Sequence, residues 1–384
     1  MERPLVILSD LHLSHAGSES TAEAFVQLLN SYAGHEFVLA GDIFGLSSDP
    51  PKRDPVESVT TLLRASPNLL ESLGRRLAQG EPVTLLAGNH DAAIAHGAMR
   101  GALLDLLGLN DAAPLSLNPW FVRRGGVHIE HGHLWDPDNA PAHPLSEWTA
   151  LTEPLGIALT RRFVARRGVW EFAHAHETTL VRGLKRAFDI FGPKAPLLVA
   201  HYFATSARIC VETLFDRGLD AQRSLGDDAL ALAGAEHGVP PEALRQLIDQ
   251  APDPTHTRFN QTFLRLYYDR VLCSLGLLGG AAGTIAGGGA VTLALAAASC
   301  AYLALNVKRS GARYENRPIV LLRDGADIVR SSTGADTVVF GHTHVPEVGG
   351  GYANSGSFGY PEHGKGRPFL LVDERGRAEL RRSD

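Results

Sequence analysis

The chain has 384 residues, 44% apolar and 20% charged, which supplies a packed core and excludes global disorder. A formal net charge of −6 argues against a partner that needs a broad basic surface, so no nucleic acid is expected. The three cysteines, Cys210, Cys273 and Cys300, lie far apart without C-x-x-C spacing, which excludes a disulfide or zinc framework and fits reduced thiols in a cytosolic setting.

Met1 to Pro4 leads straight into the first apolar run, so the catalytic part is expected in the cytoplasm. Pro4–Ser9 reads as a strand that runs into Asp10-Leu11-His12. Ser20–Ser31 has helical spacing through Phe25, Leu28 and Leu29, with Ser20 or Thr21 as the N-cap. His35–Ala40 is a second strand, running into Gly41-Asp42. Residues 45–55 are rich in Ser, Asp and Pro and read as a loop. Pro55–Gln79 reads as one or two helices. Pro82–Ala87 is a third strand, which stops at Gly88 and presents Asn89, His90 and Asp91 in succession. This alternation implies right-handed crossovers and a mostly parallel sheet. His15, His35 and His96 have no such context and read as surface or outer-layer histidines.

Val127–Glu130 alternates like a strand and runs into His131-Gly132-His133. Asp136, Asp138 and Asn139 follow, suited to support a site or to form an Asx turn around Pro137. Near the end, Pro318–Leu322 and Thr337–Phe340 read as strands, the second running into Gly341-His342-Thr343-His344. Phe369–Asp373 is a last strand, and Glu374–Asp384 is a hairpin return or a solvated end.

A lone Asp at a strand end reads as a loop cap. Here four apolar strands end in nitrogen or oxygen ligands, and parallel sheets gather such ends at one edge. The set Asp, His, Asp, Asn, His, His suits divalent transition metals. Its order, D-x-H, G-D, G-N-H-D, a lone His and G-H-x-H, resembles that of the calcineurin-like metallophosphoesterases, over about residues 4–140 and 316–375.

The resemblance implies an α/β fold, an αββα sandwich with a large, mostly helical insertion. The catalytic domain would comprise 1–140 and 316–384, and the insertion 141–315. It further implies two divalent ions, Mn²⁺ expected with Fe or Zn acceptable. Asp10, His12, Asp42 and His344 would hold one, and Asp42, Asn89, His131 and His342 the other, with Asp42 bridging. His201, after the apolar run Pro196–Ala200, rivals His131 as the lone histidine. His90 would protonate the leaving oxygen or stabilise the phosphoryl charge, oriented by Asp91. A turn like that of Asn354-Ser355-Gly356-Ser357 commonly supports such sites. The segment from His131 is also similar to UDP-2,3-diacylglucosamine hydrolases, which cleave a pyrophosphate. Those enzymes have Asp where this chain has His133, and Arg where it has His90.

The middle of the chain carries two further features. Arg161, Arg162, Arg166, Arg167, Arg182, Lys185 and Arg186 are interleaved with Phe163, Val164, Trp170, Phe172, Leu180, Leu184 and Phe188. They read as a solvated basic face or as a surface for anionic headgroups. Val271–Val307 has no charge and is flanked by Arg270, Lys308 and Arg309. Asp10 and His344 must share one side of any membrane, so crossings would come in pairs. Two helices of about 17 residues, turning at Gly287-Gly288-Gly289, fit that length. Gly279, Gly283 and Gly287 would let them approach closely, and the basic flanks place both ends in the cytoplasm. A buried soluble hairpin is the other reading.

The sequence therefore predicts a metal-dependent hydrolase of a phosphoester or pyrophosphate bond. Its partner would be a phosphorylated small molecule or lipid, at the cytoplasmic face of the membrane. A soluble phosphatase for small molecules or phosphoproteins is the alternative. A non-catalytic scaffold fits poorly, because the ligand positions and His90 are all present.

Overall fold

The computed structural model describes residues 3–14, 17–49, 53–95, 97–169, 180–215, 218–310 and 317–383. His15, His96, Trp170 and Phe172 lie outside the described residues, as do the side chains of Leu180, Arg182, Leu184, Val307 and Arg309. The chain divides into two units. The first comprises Met1–Arg161, Arg217–Pro254 and Pro318–Asp384, the second Arg162–Asp216 and Thr255–Arg317.

In the first unit, β1 (Leu5–Leu8), α1 (Glu19–Ser31), β2 (Glu36–Ala40), α2 (Pro55–Arg64), α3 (Pro67–Ala78), β3 (Val83–Leu86), α4 (Met99–Leu107) and β4 (Leu115–Asn118) alternate as expected. A second set of strands follows, β5 (Phe121–Arg124) and β6 (Val127–Glu130). Four helices come next in this unit: α5 (Leu155–Leu159), α8 (Leu219–His237), α9 (Pro241–Gln250) and α13 (Arg317–Thr333). The unit closes with β7 (Thr337–Phe340), β8 (Glu347–Gly349), β9 (Tyr352–Asn354), β10 (Arg367–Val372) and β11 (Ala378–Ser383).

The strands form two sheets, ordered β11-β10-β1-β2-β3-β4 and β5-β6-β7-β9-β8. β1 to β4 run parallel, and β10 and β11 add an antiparallel hairpin at one edge, so the tail is a hairpin return. β6, β7 and β9 are parallel to one another. Ile7, Val38 and Leu86 from one sheet meet Val122, Ile129 and Val339 from the other in one fully buried layer. The opposite face of the first sheet, with Val6, Phe37 and Leu85, is covered by Phe25, Leu28, Leu63, Leu69 and Leu103 of the first helices. The outer face of the second sheet, with Phe121 and Phe340, is covered by Leu230, Leu244, Leu322 and Val329. That is an αββα sandwich. It explains why β1, β2 and β3 are apolar at nearly every position, since both faces of each strand are buried.

Three local expectations are corrected. Pro318–Leu322 is not a strand but the first turns of α13. Pro is tolerated in a helix's first turn, and Leu322, Ala326 and Val329 recur at helical spacing on its buried side. In α1 the helix begins one residue before the expected caps, Ser18 stands at the N-cap, and Thr21 is buried instead. α8 and α9, inside the stretch read as an insertion, belong to the first unit.

The second unit is helical: α6 (Leu180–Phe191), α7 (Ala195–Glu212), α10 (Phe259–Arg265), α11 (Tyr268–Ile285) and α12 (Gly289–Ser310). Phe163, Val164 and Val169 form its small buried cluster, with Phe191, Leu198 and Tyr202 against them. Arg162 pairs with Glu212 at 2.5 Å, while Arg166, Arg167, Lys185 and Arg186 are exposed. α11 and α12 form a tight hairpin turning at Gly287–Gly289. The glycines that allow the approach are Gly276, Gly280 and Gly283, of which only Gly283 belongs to the expected series. A Cβ on Gly280 would meet the Ala296 backbone at 2.7 Å, whereas Gly279 and Gly287 face open space. At the open end of the hairpin Tyr302 donates to Asp269 (2.6 Å) and Arg270 to Asn306 (2.9 Å).

Candidate metal centre and active site

The ends of β1, β2, β3, β6 and β7 bring the candidate ligands together. Asp10 follows β1 and Asp42 follows β2, both buried. His344 Nε2 lies 3.0 Å from Asp10 Oδ1 and 3.4 Å from His12 Nε2. His131 Nε2 lies 3.3 Å from Asp42 Oδ2 and 3.1 Å from Asn89 Oδ1. Asp42 Oδ2 is also 4.0 Å from His12 Nε2, which sets this carboxylate between the two histidines. Asp10, His12 and His344 form one group able to hold an ion, and Asp10, Asp42 and His131 a second. The His342 ring packs edge-on to His131, 5.2 Å between centroids. His201, the rival ligand, lies in α7 of the second unit and accepts from Arg167 at 3.0 Å.

The backbone is bent to make this edge. Among the described residues six non-glycines have positive φ, and five of them are Asp10, His12, Asp42, His342 and His344. Such a conformation costs about 1–3 kcal/mol per residue and persists where the surroundings impose it. Two glycines are required by close approach. A Cβ on Gly41 would strike the His131 ring, and one on Gly88 would strike Asp42.

Hydrogen bonds fix which atoms are available. His131 Nδ1 donates to Ala40 O at 2.9 Å, leaving Nε2 free to ligate. Trp120 and Trp135 donate to buried Glu130 at 2.7 and 2.8 Å, which anchors the strand just before His131. His342 Nε2 meets Asp136 Oδ2 at 2.9 Å, leaving Nδ1. Asn139 donates to the same Asp136 oxygen (2.7 Å) and accepts from Asn89 (3.2 Å). One chain of polar groups thus orients both Asn89 and His342. Asp136 also caps a turn, accepting from Asp138 N at 3.1 Å, so the supporting role and the Asx turn coexist. Asn354 donates to Gly341 O (2.6 Å), Ser357 donates to Asp10 O (3.0 Å), and the Ser9 hydroxyl donates to Asp10 Oδ2.

Asp91 does not orient His90. Its carboxylate accepts from the N–H groups of Asp42, Ile43, Phe44 and Gly88, tying two strand-end loops together. The residue against His90 Nδ1 is Ser47, from the loop after β2. No spacing rule links positions 47 and 90, so the sequence carried no signal for it. The His90 ring stands edge-on to His12, 5.1 Å between centroids.

The electrostatics suit cations. Burial raises the Asp10 carboxyl, but the charge of His344, with that of His131, outweighs it and holds it below its usual range. Burial likewise opposes Asp42, and His131 and His90 hold it well below. Burial depresses His131, yet Asp42 and Asp10 lift it to about 10. Burial drives His12 down to about 3, against the pull of Asp42. Burial and the neighbouring Asp42 raise Asp91 to about 7. Asp10 Oδ1, although 3.0 Å from His344, is buried without an aligned hydrogen bond. Carboxylate oxygens and imidazole nitrogens converging this way fit divalent ions of mixed N/O preference.

The sequence profile of the calcineurin-like phosphoesterase family matches residues 3–197. No curated protein matches the chain.

Proposed function

The chain belongs to the calcineurin-like phosphoesterase family and is a metal-dependent hydrolase of phosphoester bonds; from that premise we propose how its residues share the work. Asp10, His12, Asp42 and His344 hold one ion, and Asp42, Asn89, His131 and His342 the other, with Mn²⁺ as the activator. Two such ions, when bound, clamp phosphoryl oxygens and lower the pKa of a shared water toward neutrality. Ser47 donates to His90 Nδ1, so the neutral ring keeps its proton on Nε2. That proton passes to the leaving oxygen as the P–O bond breaks. Asp136 and Asn139 hold the ligand rings and amides in register, and Asp91 fixes the loops that carry them.

The observation that carries this reading is the convergence of Asp10, Asp42, His12, His131 and His344 on one buried, conformationally strained edge. Its test is Asp42→Asn. Turnover of bis-p-nitrophenyl phosphate by Mn²⁺-loaded protein should fall by about 10³-fold or more, with the circular-dichroism spectrum unchanged. Full turnover by this variant would sink the reading.

For the location of the enzyme we propose a membrane anchor formed by α11 and α12, and hence a lipid-linked phosphate or pyrophosphate as substrate. Helices of 18 and 22 residues span about 27 and 33 Å, against about 30 Å of hydrocarbon. The segment Gly289–Asn306 is long and apolar enough to cross a bilayer, and only 6% of it is buried. Leu275, Leu278, Ile285, Val291 and Leu293 are each more than half exposed. A soluble phosphatase is the competing reading. Purification with and without detergent separates them, since recovery from the supernatant without detergent removes the anchor.

A further inference from the structure

Beside the metal ligand Asn89 and the proton donor His90, the first unit holds an open cleft of about 270 Å³. Its lining includes two guanidinium groups, Arg53 and Arg161, together with Trp148 and Ile157. Both cations have donor capacity to spare. The Arg161 side chain is only 18% exposed and gives one bond, from Nη1 to buried Glu153 at 2.5 Å. Its Nε–H is buried and has no acceptor among the described residues. Among the described residues Arg53 has one ion pair, to Asp49 at 3.9 Å, which is beyond hydrogen-bond distance. Asp49, Asp91 and Glu147 also line the cleft; the Asp91 oxygens are turned toward four backbone N–H groups.

We infer that this cleft receives the leaving half of the substrate, and that the leaving half bears an anionic group of its own, such as a second phosphate. The inference rests on the phosphoesterase reading, in which His90 gives its proton on the leaving side. A phosphate oxygen accepts from the exposed part of the Arg161 guanidinium and from Arg53, in the planar, charge-assisted manner that guanidinium favours. Trp148 and Ile157 supply apolar surface for the body attached to it. The substrate class is then a diphosphate, cleaved so that a phosphate monoester departs.

The test compares phenyl phosphate, which releases phenol, with phenyl diphosphate, which releases phenyl phosphate. Both are turned over by Mn²⁺-loaded full-length protein and by its Arg161→Ala and Arg53→Ala variants. The second variant serves because Arg161→Ala strips buried Glu153 of its partner and risks misfolding. The expected result is that kcat/KM for the diphosphate falls about 10- to 100-fold relative to that for the monophosphate, the size of one charge-assisted hydrogen bond. An unchanged ratio in both variants, with both esters cleaved, overturns the cleft assignment alone. If the wild-type protein cleaves neither ester, the phosphoesterase reading fails and the cleft assignment fails with it.

Discussion

The strand-end edge of the first unit and the α11–α12 hairpin of the second depart from the ordinary pattern of a soluble protein in opposite directions. At the edge, Asp10, Asp42, Asn89 and His131 are buried polar groups, and Asp10 and Asp42 sit on strained backbone. In the hairpin, leucines, isoleucine and valine stand exposed on regular helices. Burying charge is costly unless it is paired or binds metal. Exposing contiguous apolar surface marks an interaction site. Each departure makes sense against a medium other than water, cations for the edge and, as proposed, lipid for the hairpin. Neither region would be understood from its burial pattern alone. What separates them is hydrogen bonding: the edge is tied by directed bonds that select particular atoms, while the hairpin is held chiefly by backbone approach at glycine.

This contrast can be broken at several points. In the hairpin, Leu293→Arg places a charge on an exposed apolar face. Transfer to lipid then loses about 3 kcal/mol, roughly a 100-fold drop in partition to liposomes, measured by flotation. Equal flotation of variant and wild type would return the hairpin to a soluble role. At the edge, Asp136→Asn removes the charge that orients His342. Mn²⁺ affinity should weaken about 10- to 100-fold by calorimetric titration, with the unfolding midpoint of the metal-free protein little changed. A variant that binds Mn²⁺ as tightly as wild type would show that His342 needs no such partner. The smallest effect discriminates between neighbouring glycines. Gly279→Ala meets open space and should stabilise the helix by about 1 kcal/mol, while Gly280→Ala meets the Ala296 backbone and should destabilise it. Thermal unfolding of the two variants gives opposite shifts if the packing is right.

Much of the edge was legible in the sequence because its signals are local. A strand reads as a short apolar run, and a ligand that follows it at once is placed by the strand itself. Asp10, Asp42, Asn89 and His342 were visible for that reason, and the order of their motifs carried the resemblance. The helix pattern of α1, α2 and α3 was legible on the same basis, while the return of β11 on β10 was one of two readings that the sequence left open. The strand assigned to Pro318–Leu322 failed because a five-residue apolar run has no period long enough to separate strand from helix. The role given to Asp91 failed because adjacency in sequence is not contact in space; its carboxylate turns toward four backbone N–H groups instead.

The sequence by itself determined the family, the candidate ligand positions and the presence of a long uncharged stretch, because composition, spacing and order are properties of one dimension. Tertiary structure decided the rest. It set Ser47 against His90, joined Asp136 and Asn139 to two ligands, drew α8 and α9 into the sandwich, and chose Gly276, Gly280 and Gly283 as the seam of the hairpin. Each of these depends on the direction of a side chain or the closeness of two backbones brought together by packing. Hydrogen bonds act over about 3 Å, and residues 43 positions apart reach that distance only when sheets and helices close around them.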